Sequence, residues 1–271
     1  ATEDESLMPK WGPRFDRSAV VRSVEVNGCS YLHPNGMPDE FGLLGVGVLG
    51  FDEAQPGQSF LKIGVGELVR PDAKFYKPST KYDLLEPAFV EVVSHSANHL
   101  TVRVSDEHPN GDAYTLTKTY TVEPEAGRLT LDYTLENRGR SFEFEQYNHN
   151  WFSFEGREVG PTTWMRFGFD LPPLPFTWLV REGRSFHFAG PVLEGDRRMF
   201  RLIREIPATE STVRVGDDQT GQWVEMQGTF ALSRLVMYSR FDTVCMERFY
   251  RHHLASGESV SWQRVWIFAA D

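Results

Sequence analysis

The stretch Leu129-Thr130-Leu131-Asp132-Tyr133-Thr134-Leu135-Glu136 alternates between apolar and polar side chains. Because successive side chains of a β-strand point to opposite faces, its leucines and tyrosine share one face and its polar residues share the other. The stretch therefore predicts a half-buried strand. A turn signal follows at residues 137–140, and alternation resumes at Phe142-Glu143-Phe144, which predicts that the two segments form a β-hairpin.

The same pattern recurs along the chain as short β-rich runs between turn residues. These runs are residues 20–26, 89–93, 100–104, 114–122, 211–215, 223–226, 232–238 and 260–268. No long amphipathic helix is predicted, and 171–175, which holds three prolines, is expected to be a surface loop. The fold class indicated is all-β, a large antiparallel β-sandwich.

Length and composition predict one folded domain. The 271 residues are 40% hydrophobic, enough for one large core. We expect residues 1–17, with few periodic apolar positions, to form an extended arm, and residues 18–271 to form the single domain. Only Cys29 and Cys245 are present, outside any metal-binding spacing, and both are interpreted as core residues.

Charge restricts the class of partner. The net charge of −10 and the absence of a Lys/Arg run argue against nucleic acid and favour an uncharged or lightly charged ligand. No apolar run approaches the roughly 18 residues of a membrane helix, so no membrane partner is expected.

A first residue Ala1 suits a mature exported protein or a trimmed chain, and export is the preferred localisation.

The run from Phe144 to Phe154 carries polar groups inside an aromatic, alternating segment. It reads Phe-Glu-Gln-Tyr-Asn-His-Asn-Trp-Phe-Ser-Phe. Burying an imidazole and carboxamides among aromatic rings is unfavourable unless each finds a partner. The segment therefore predicts the floor of a polar ligand cleft, and carbohydrate is the ligand that we expect there.

Two separated segments resemble those of the aldose 1-epimerase (galactose mutarotase-like) family. Asn148-His149-Asn150-Trp151-Phe152 resembles the family's Asn-His-x-Tyr-Phe segment. Cys245-Met246-Glu247, followed by Gly257-Glu258 and a closing strand, resembles its Cys-Leu-Glu segment and Pro-Gly-Glu turn. The resemblance implies the family's β-supersandwich, with His149 as general acid and Glu247 as general base. It implies an isomerase that interconverts the anomers of a free sugar. No cofactor is expected, and no catalytic metal, because HExxH, EF-hand and paired-cysteine patterns are absent.

Further substrate-binding residues are expected near these segments. Residues 62–76 correspond in position to the family segment that supplies a sugar-binding arginine and a second histidine. Arg70 is the candidate arginine, but no histidine follows it, and Lys74, Lys62 or Tyr76 is expected to donate to a sugar hydroxyl instead. Trp151 is expected to stack on the sugar ring. Two neighbours of the catalytic pair complete the expected site, Asn148 and Arg248.

Alternative interpretations remain open from the sequence. Glu247 could be a rim carboxylate paired with Arg248 or Arg240, and His149 a core histidine held by Asn148. A polysaccharide lyase would use Tyr147, Asn148 and His149 differently, and a non-catalytic carbohydrate-binding protein would need no acid–base pair. The sequence predicts a monosaccharide or oligosaccharide ligand and a monomer or homodimer, without naming the sugar.

Overall fold

Strands make up most of the regular structure in the computed structural model, which describes residues 12–270. In chain order the strands are β1 (Glu25–Val26), β2 (Cys29–Ser30), β3 (Asp39–Phe41), β4 (Val48–Leu49), β5 (Ser59–Lys62), β6 (Gly66–Val69), β7 (Asp83–Pro87), β8 (Phe89–Ser96), β9 (His99–Glu107), β10 (Ala113–Glu123), β11 (Arg128–Asn137), β12 (Phe142–Asn148), β13 (Thr163–Phe167), β14 (Leu179–Glu182), β15 (Ser185–Phe188), β16 (Arg198–Leu202), β17 (Val213–Asp217), β18 (Gln222–Gly228), β19 (Arg234–Arg240), β20 (Thr243–Leu254) and β21 (Ser259–Ala270). Short 3₁₀ helices lie at Pro124–Ala126 and Ala208–Glu210.

Two large antiparallel sheets form the body of the protein. The ten-stranded sheet has the order β14-β15-β13-β17-β18-β21-β11-β10-β9-β8, and the five-stranded sheet has the order β16-β19-β20-β12-β3. A four-stranded sheet, β4-β5-β6-β7, and the β1-β2 ribbon complete the described strands. The predicted all-β antiparallel sandwich is confirmed.

The main core lies between the two large sheets. Leu131 and Trp266 of the ten-stranded sheet belong to the same buried cluster as Phe144 and Met246 of the five-stranded sheet. Because side chains alternate along a strand, the residues between these inward ones point to the other face of the five-stranded sheet. That outer face is therefore available for a site.

The predicted β-hairpin of residues 129–144 is wrong. Both segments are strands, but β11 pairs with β10 and β21, whereas β12 pairs with β20 and β3. The turn at residues 137–140 carries the chain from one sheet to the other. Alternation identifies a half-buried strand but not its partner, and two consecutive strands on opposite sides of one core show the same pattern.

Other strand predictions agree with the structure more closely. Of residues 20–26, only Glu25–Val26 form a strand, and Val21 makes an isolated bridge to Met37. The remaining predicted runs overlap described strands, and 171–175 has no regular structure. Cys245 is buried and Cys29 is partly buried against the core.

Part of the predicted N-terminal arm packs onto the domain. Residues 1–11 lie outside the described residues, but Phe15 and Asp16 are only 2% and 1% exposed. The Asp16 carboxylate accepts a 2.7 Å hydrogen bond from Lys118 Nζ on β10. Residues 15 and 16 are therefore part of the packed structure.

A buried polar cluster joins the two large sheets around Asp39 of β3. Its carboxylate accepts hydrogen bonds from Tyr133 Oη at 2.7 Å, from Gln146 Nε2 at 2.9 Å and from Asn148 Nδ2. Lys118 Nζ lies 3.3 Å from its second oxygen. Buried polar groups are stable only when paired, so this cluster fixes β12 relative to β3 and β11.

Within residues 12–270, no helix has the length and apolar composition needed to cross a membrane. Nor do three or more His, Cys, Asp or Glu side chains in that range come together in a group that could hold a metal ion.

Candidate active site

Strand register places an acid–base pair on the outer face of the five-stranded sheet. Arg201 of β16 lies opposite Val236 of β19, which lies opposite Glu247 of β20. The register of β12 against β20, continued past the last paired residue, places His149 opposite Glu247. The side chains of Arg201, Val236 and Glu247, on three neighbouring strands of the sheet, therefore form one row that His149 continues just beyond the end of β12.

Two further rows flank the first. Tyr238 of β19 lies opposite Met199 of β16 and Cys245 of β20. On the other side, Arg234 of β19 lies opposite Phe249 of β20. The side chains of these rows point the same way as His149 and Glu247, because cross-strand neighbours share a face.

A cavity of about 330 Å³ opens over these rows. Its aromatic lining consists of Phe15, Tyr147, Trp151 and Tyr238. Its cationic lining consists of Arg14, Arg197, Arg201 and Arg234. The volume lies near the lower end of the roughly 300–1,000 Å³ range of ligand pockets, which suits a small polar molecule.

His149 and Glu247 are in direct contact at the floor of the cavity. Nε2 of the imidazole lies 3.4 Å from Oε1 of the carboxyl, and each side chain is 7% exposed. The imidazole stacks on the indole of Trp151, with ring centres 4.1 Å apart and planes inclined by 12°. Nδ1 of His149 is buried without a hydrogen-bond partner. The stack fixes the ring orientation and leaves Nε2 directed at Glu247.

Burial keeps both groups of this pair uncharged. It lowers the pKa of His149 well below its usual value, and Arg14 and Arg240 lower it further. It raises the pKa of Glu247 to about 8, against the opposing influence of Arg14. Desolvation disfavours the charged form of each group. At neutral pH the His149 imidazole is therefore neutral and the Glu247 carboxyl is protonated.

Beneath the cavity, a buried carboxylate organises the side chains around the pair. Glu40 of β3 accepts a 3.0 Å hydrogen bond from Arg14 Nε and a hydrogen bond from Tyr147 Oη. Lys62 Nζ lies 3.4 Å from its other oxygen and donates to Tyr76 Oη at 2.8 Å. Burial lowers the pKa of Lys62 to about 8, although Glu40 opposes this shift. Glu40 thus holds Arg14 and Tyr147 in place at the cavity wall.

The structure brings together three of the eight residues predicted for the site. His149, Glu247 and Trp151 line the cavity. Acid and base candidates do not face each other across the cavity. The two catalytic candidates lie side by side on adjacent strands, so a ligand must lie over both.

Asn148 and Arg248 do not line the cavity. Each is next in sequence to a cavity residue and so points to the opposite face of the sheet. Asn148 Nδ2 donates to Asp39 and to Tyr133 Oη in the buried cluster. Arg248 is 1% exposed, and its guanidinium donates to Ser211 Oγ at 2.8 Å. Burial lowers the pKa of Arg248 to about 9.

Arg70, Lys74 and Tyr76 also lie outside the cavity lining. Arg70 donates to the backbone carbonyls of Phe51 and Ala54, both at 2.8 Å. Lys74 is 76% exposed and pairs with its near neighbour Asp72. Tyr76 reaches the site only indirectly, through its hydrogen bond from Lys62. These placements differ from the expected grouping, because residues 62–76 contain the end of β5 and all of β6, which belong to the four-stranded sheet and not to the sheet that carries Glu247.

Several cavity residues were missed by the sequence analysis. Arg234 and Tyr238 lie on a predicted strand, residues 232–238, whose outward face could have been read from its alternation. Arg201 lies on β16, a short strand that was not predicted, and Arg197 immediately precedes it. Arg14 gave no signal, because it lies in a segment with little periodicity.

Larger clefts occur elsewhere on the protein. One of them, about 740 Å³, is lined by β8–β9, β10 and residues 19–27. Its lining is mainly apolar, and its carboxylate and imidazole groups are not buried. The smaller cavity over β12 and β20 is the better candidate site, since buried groups with shifted pKa values mark functional clefts.

Comparison with known proteins identifies the fold. No family model matches the sequence, and no curated protein matches it. Among solved structures, a galactose mutarotase-like protein from Lactobacillus casei is 15% identical with a TM-score of 0.57, covering 94% of this chain and 95% of that one.

Two further structures agree with this comparison. Galactose 1-epimerase from Lactobacillus acidophilus is 13% identical with a TM-score of 0.55, and the Slr1438 protein from Synechocystis is 14% identical with a TM-score of 0.56. Each match covers 95% of this chain and 90% of the other. The chain therefore has the galactose mutarotase-like fold that the sequence resemblance predicted. At these identities the similarity concerns the fold alone.

Proposed function

We propose that this chain, which has the galactose mutarotase-like fold, interconverts the α and β anomers of a sugar by acid–base ring opening and reclosure. The observation that supports this function best is the 3.4 Å contact between His149 Nε2 and Glu247 Oε1 on the floor of a cavity of ligand size. A site that only binds sugar needs no such buried pair of proton-transfer groups.

The geometry of the pair suits the two oxygens of an anomeric centre. Ring opening removes the proton of the anomeric hydroxyl and protonates the ring oxygen, and both oxygens are bonded to the same carbon. An acid and a base that lie side by side can therefore reach both oxygens from one face of the sugar. Groups positioned in this way typically contribute about 10²–10⁴-fold each to the rate.

Every proton that is transferred in the opening step is returned in the closing step. In the neutral pair, His149 accepts the hydroxyl proton while Glu247 donates its proton to the ring oxygen, and the C1–O5 bond breaks. The open-chain aldehyde turns about its C1–C2 bond. Reclosure by attack of O5 on C1 returns the O5 proton to Glu247 and transfers the His149 proton to the new anomeric hydroxyl. In the opening step His149 is therefore the base and Glu247 the acid, which is the reverse of the roles that the family resemblance implies. In the closing step Glu247 is the base and His149 the acid.

Aromatic side chains supply a surface for the sugar ring. Trp151 lies against His149, and Tyr238 packs edge-on to Trp151 with ring centres 6.1 Å apart. The C–H faces of a pyranose pack favourably on such rings. Trp151 is therefore proposed to orient the sugar with its anomeric carbon over the acid–base pair.

The test is anomer exchange measured by NMR saturation transfer across a panel of aldoses, with the uncatalysed rate subtracted. At least one sugar should show exchange that increases in proportion to protein concentration. A polysaccharide lyase would instead produce an unsaturated product that absorbs ultraviolet light. Absorbance growth with uronate polymers, without anomer exchange of any aldose, would overturn the proposal.

A further inference from the structure

The cavity carries more positive charge than an uncharged sugar requires. Four arginines line it, whereas Glu247 is its one lining carboxyl among the described residues. Glu247 itself is uncharged at neutral pH, because burial raises its pKa to about 8. This local excess contrasts with the net charge of −10 for the whole chain.

Two of these arginines are neutralised by carboxylates of the protein. Arg14 lies 3.0 Å from Glu40. Arg234 donates to Glu145 at 2.6 Å, and its guanidinium lies 3.8 Å from the centre of the Phe249 ring. Both therefore have structural partners that hold them in the cavity wall.

The other two arginines have no such partner. Within residues 12–270, neither Arg197 nor Arg201 makes an ion pair or a side-chain hydrogen bond. Both are exposed and line the cavity, Arg201 on β16 and Arg197 immediately before that strand. Both guanidinium groups therefore belong to the same pocket. Unpaired arginines converging on one pocket are typical of sites for carboxylates and phosphates.

We infer that the ligand is an anionic sugar, carrying a phosphate ester or a carboxylate that Arg197 and Arg201 bind. This inference rests on the proposed function and specifies its substrate class. An anionic ligand differs from the uncharged or lightly charged ligand that the overall composition predicted. The net charge of the chain is negative, whereas the lining of this cavity is positive.

The distances across the sheet place the anionic group away from the anomeric carbon. Arg201 and Glu247 are in the same row, separated by one strand that carries Val236. Neighbouring strands are about 4.8 Å apart, so the two backbones are about 10 Å apart. A sugar over the acid–base pair would thus direct a charged substituent, such as a phosphate or carboxylate at carbon 6, towards β16.

Binding is tested separately from catalysis by using methyl glycosides, which cannot open their rings. The probes are methyl glucoside, its 6-phosphate and methyl glucuronide, titrated into the full chain and followed by NMR. The 6-phosphate or the glucuronide should bind at least about tenfold more tightly than the neutral glycoside, since hydrogen bonds to charged groups are the stronger ones. This preference should weaken as salt is added.

The variants Arg201→Gln and Arg197→Gln should each reduce binding of the preferred anionic glycoside by about tenfold and leave binding of the neutral glycoside unchanged. Arg204→Gln is the matched control, because Arg204 is exposed nearby and donates to the Asp170 carbonyl instead. It should bind like the unmodified chain. The phosphate and carboxylate probes distinguish the two sources of negative charge.

Equal affinity for the neutral and anionic glycosides, or unchanged anion binding in both arginine variants, would overturn the inference even if neutral sugars exchange anomers rapidly. Conversely, tight arginine-dependent binding without anomer exchange of any free sugar would overturn the proposed function and retain the anionic ligand. The two failures are therefore distinguishable.

Discussion

His149 Nε2 lies 3.4 Å from Glu247 Oε1, and both side chains are almost completely enclosed. The strand register produces this contact, since its continuation past the end of β12 places His149 opposite Glu247 of β20. The low polarity of the surroundings then keeps the pair in its uncharged form. A protonated carboxyl and a neutral imidazole are thus already adjacent, and this is the arrangement on which the proposed mechanism depends.

Anomer exchange should depend on pH through the proton on Glu247. Burial raises the pKa of Glu247 to about 8, so the pair loses its proton above that pH and the catalysed rate should fall about tenfold per pH unit. The pKa of His149 is lowered, so the acid limb should lie below pH 6.5. Saturation transfer from pH 5 to 10 measures both limbs, with the uncatalysed rate subtracted at each pH. An alkaline limb that is absent up to pH 10 contradicts the assignment.

The raised pKa of Glu247 also predicts how stability varies with pH. The folded state binds this proton more tightly than the unfolded state, so the contribution of Glu247 to stability falls as pH rises from its unfolded pKa of 4.5 to about 8. Glu247→Gln removes this titration. The free energy of unfolding of the variant, relative to the unmodified chain, should therefore increase across that window, by a few kcal/mol in order of magnitude. Urea unfolding at several pH values measures the difference, and a pH-independent difference would contradict the shift.

Trp151 should contribute to ligand binding through its ring. Trp151→Ala removes the indole, which lines the cavity and also holds the His149 imidazole by stacking at 4.1 Å, and should weaken glycoside binding about tenfold, whereas Trp151→Phe should retain much of it. NMR titration with methyl glycosides measures the affinity. Trp164→Phe on β13, outside the cavity, is the control and should have no effect on binding. Unchanged affinity in Trp151→Ala would remove the ring from the proposed sugar contact.

The Asp39 cluster should be important for stability. Asp39→Ala removes the acceptor of the Tyr133 hydroxyl and of the Gln146 amide and one of the two acceptors of the Asn148 amide, and should lower the free energy of unfolding by about 3–5 kcal/mol. Asp132→Ala removes one hydrogen bond, to Gln263, and should lower it by about 1 kcal/mol. Urea denaturation compares the two. Equal effects would show that the cluster does not join the sheets as described.

The sequence predicted the fold class and the two catalytic candidates because both depend on local patterns. Alternation identified β11 and β12 as strands, and short motifs identified His149 and Glu247. The sheet partners did not follow from alternation, since it is the same for a hairpin and for two strands on opposite sides of a core. The predicted hairpin was wrong for this reason.

The substrate-binding residues were harder to predict, because their grouping depends on which strands are neighbours. Asn148 and Arg248 were chosen for their closeness in sequence to His149 and Glu247, and strand alternation directs both to the opposite face. Arg197 and Arg201 are far from the pair in sequence, and only the pairing of β16 with β19 brings them to the cavity. A long-range register of this kind is not contained in a local pattern.

The most direct test of the central claim is the anomer-exchange rate of the unmodified chain compared with Glu247→Gln and His149→Ala, measured by NMR saturation transfer on a sugar that the chain binds. Glu143→Gln, which alters an exposed carboxylate of β12 paired with Arg251, is the control and should exchange at the unmodified rate. The account predicts that Glu247→Gln binds methyl glycosides normally but loses at least about 10²-fold in catalysed exchange, and that His149→Ala loses a similar factor. Exchange at the unmodified rate in folded Glu247→Gln would contradict the account.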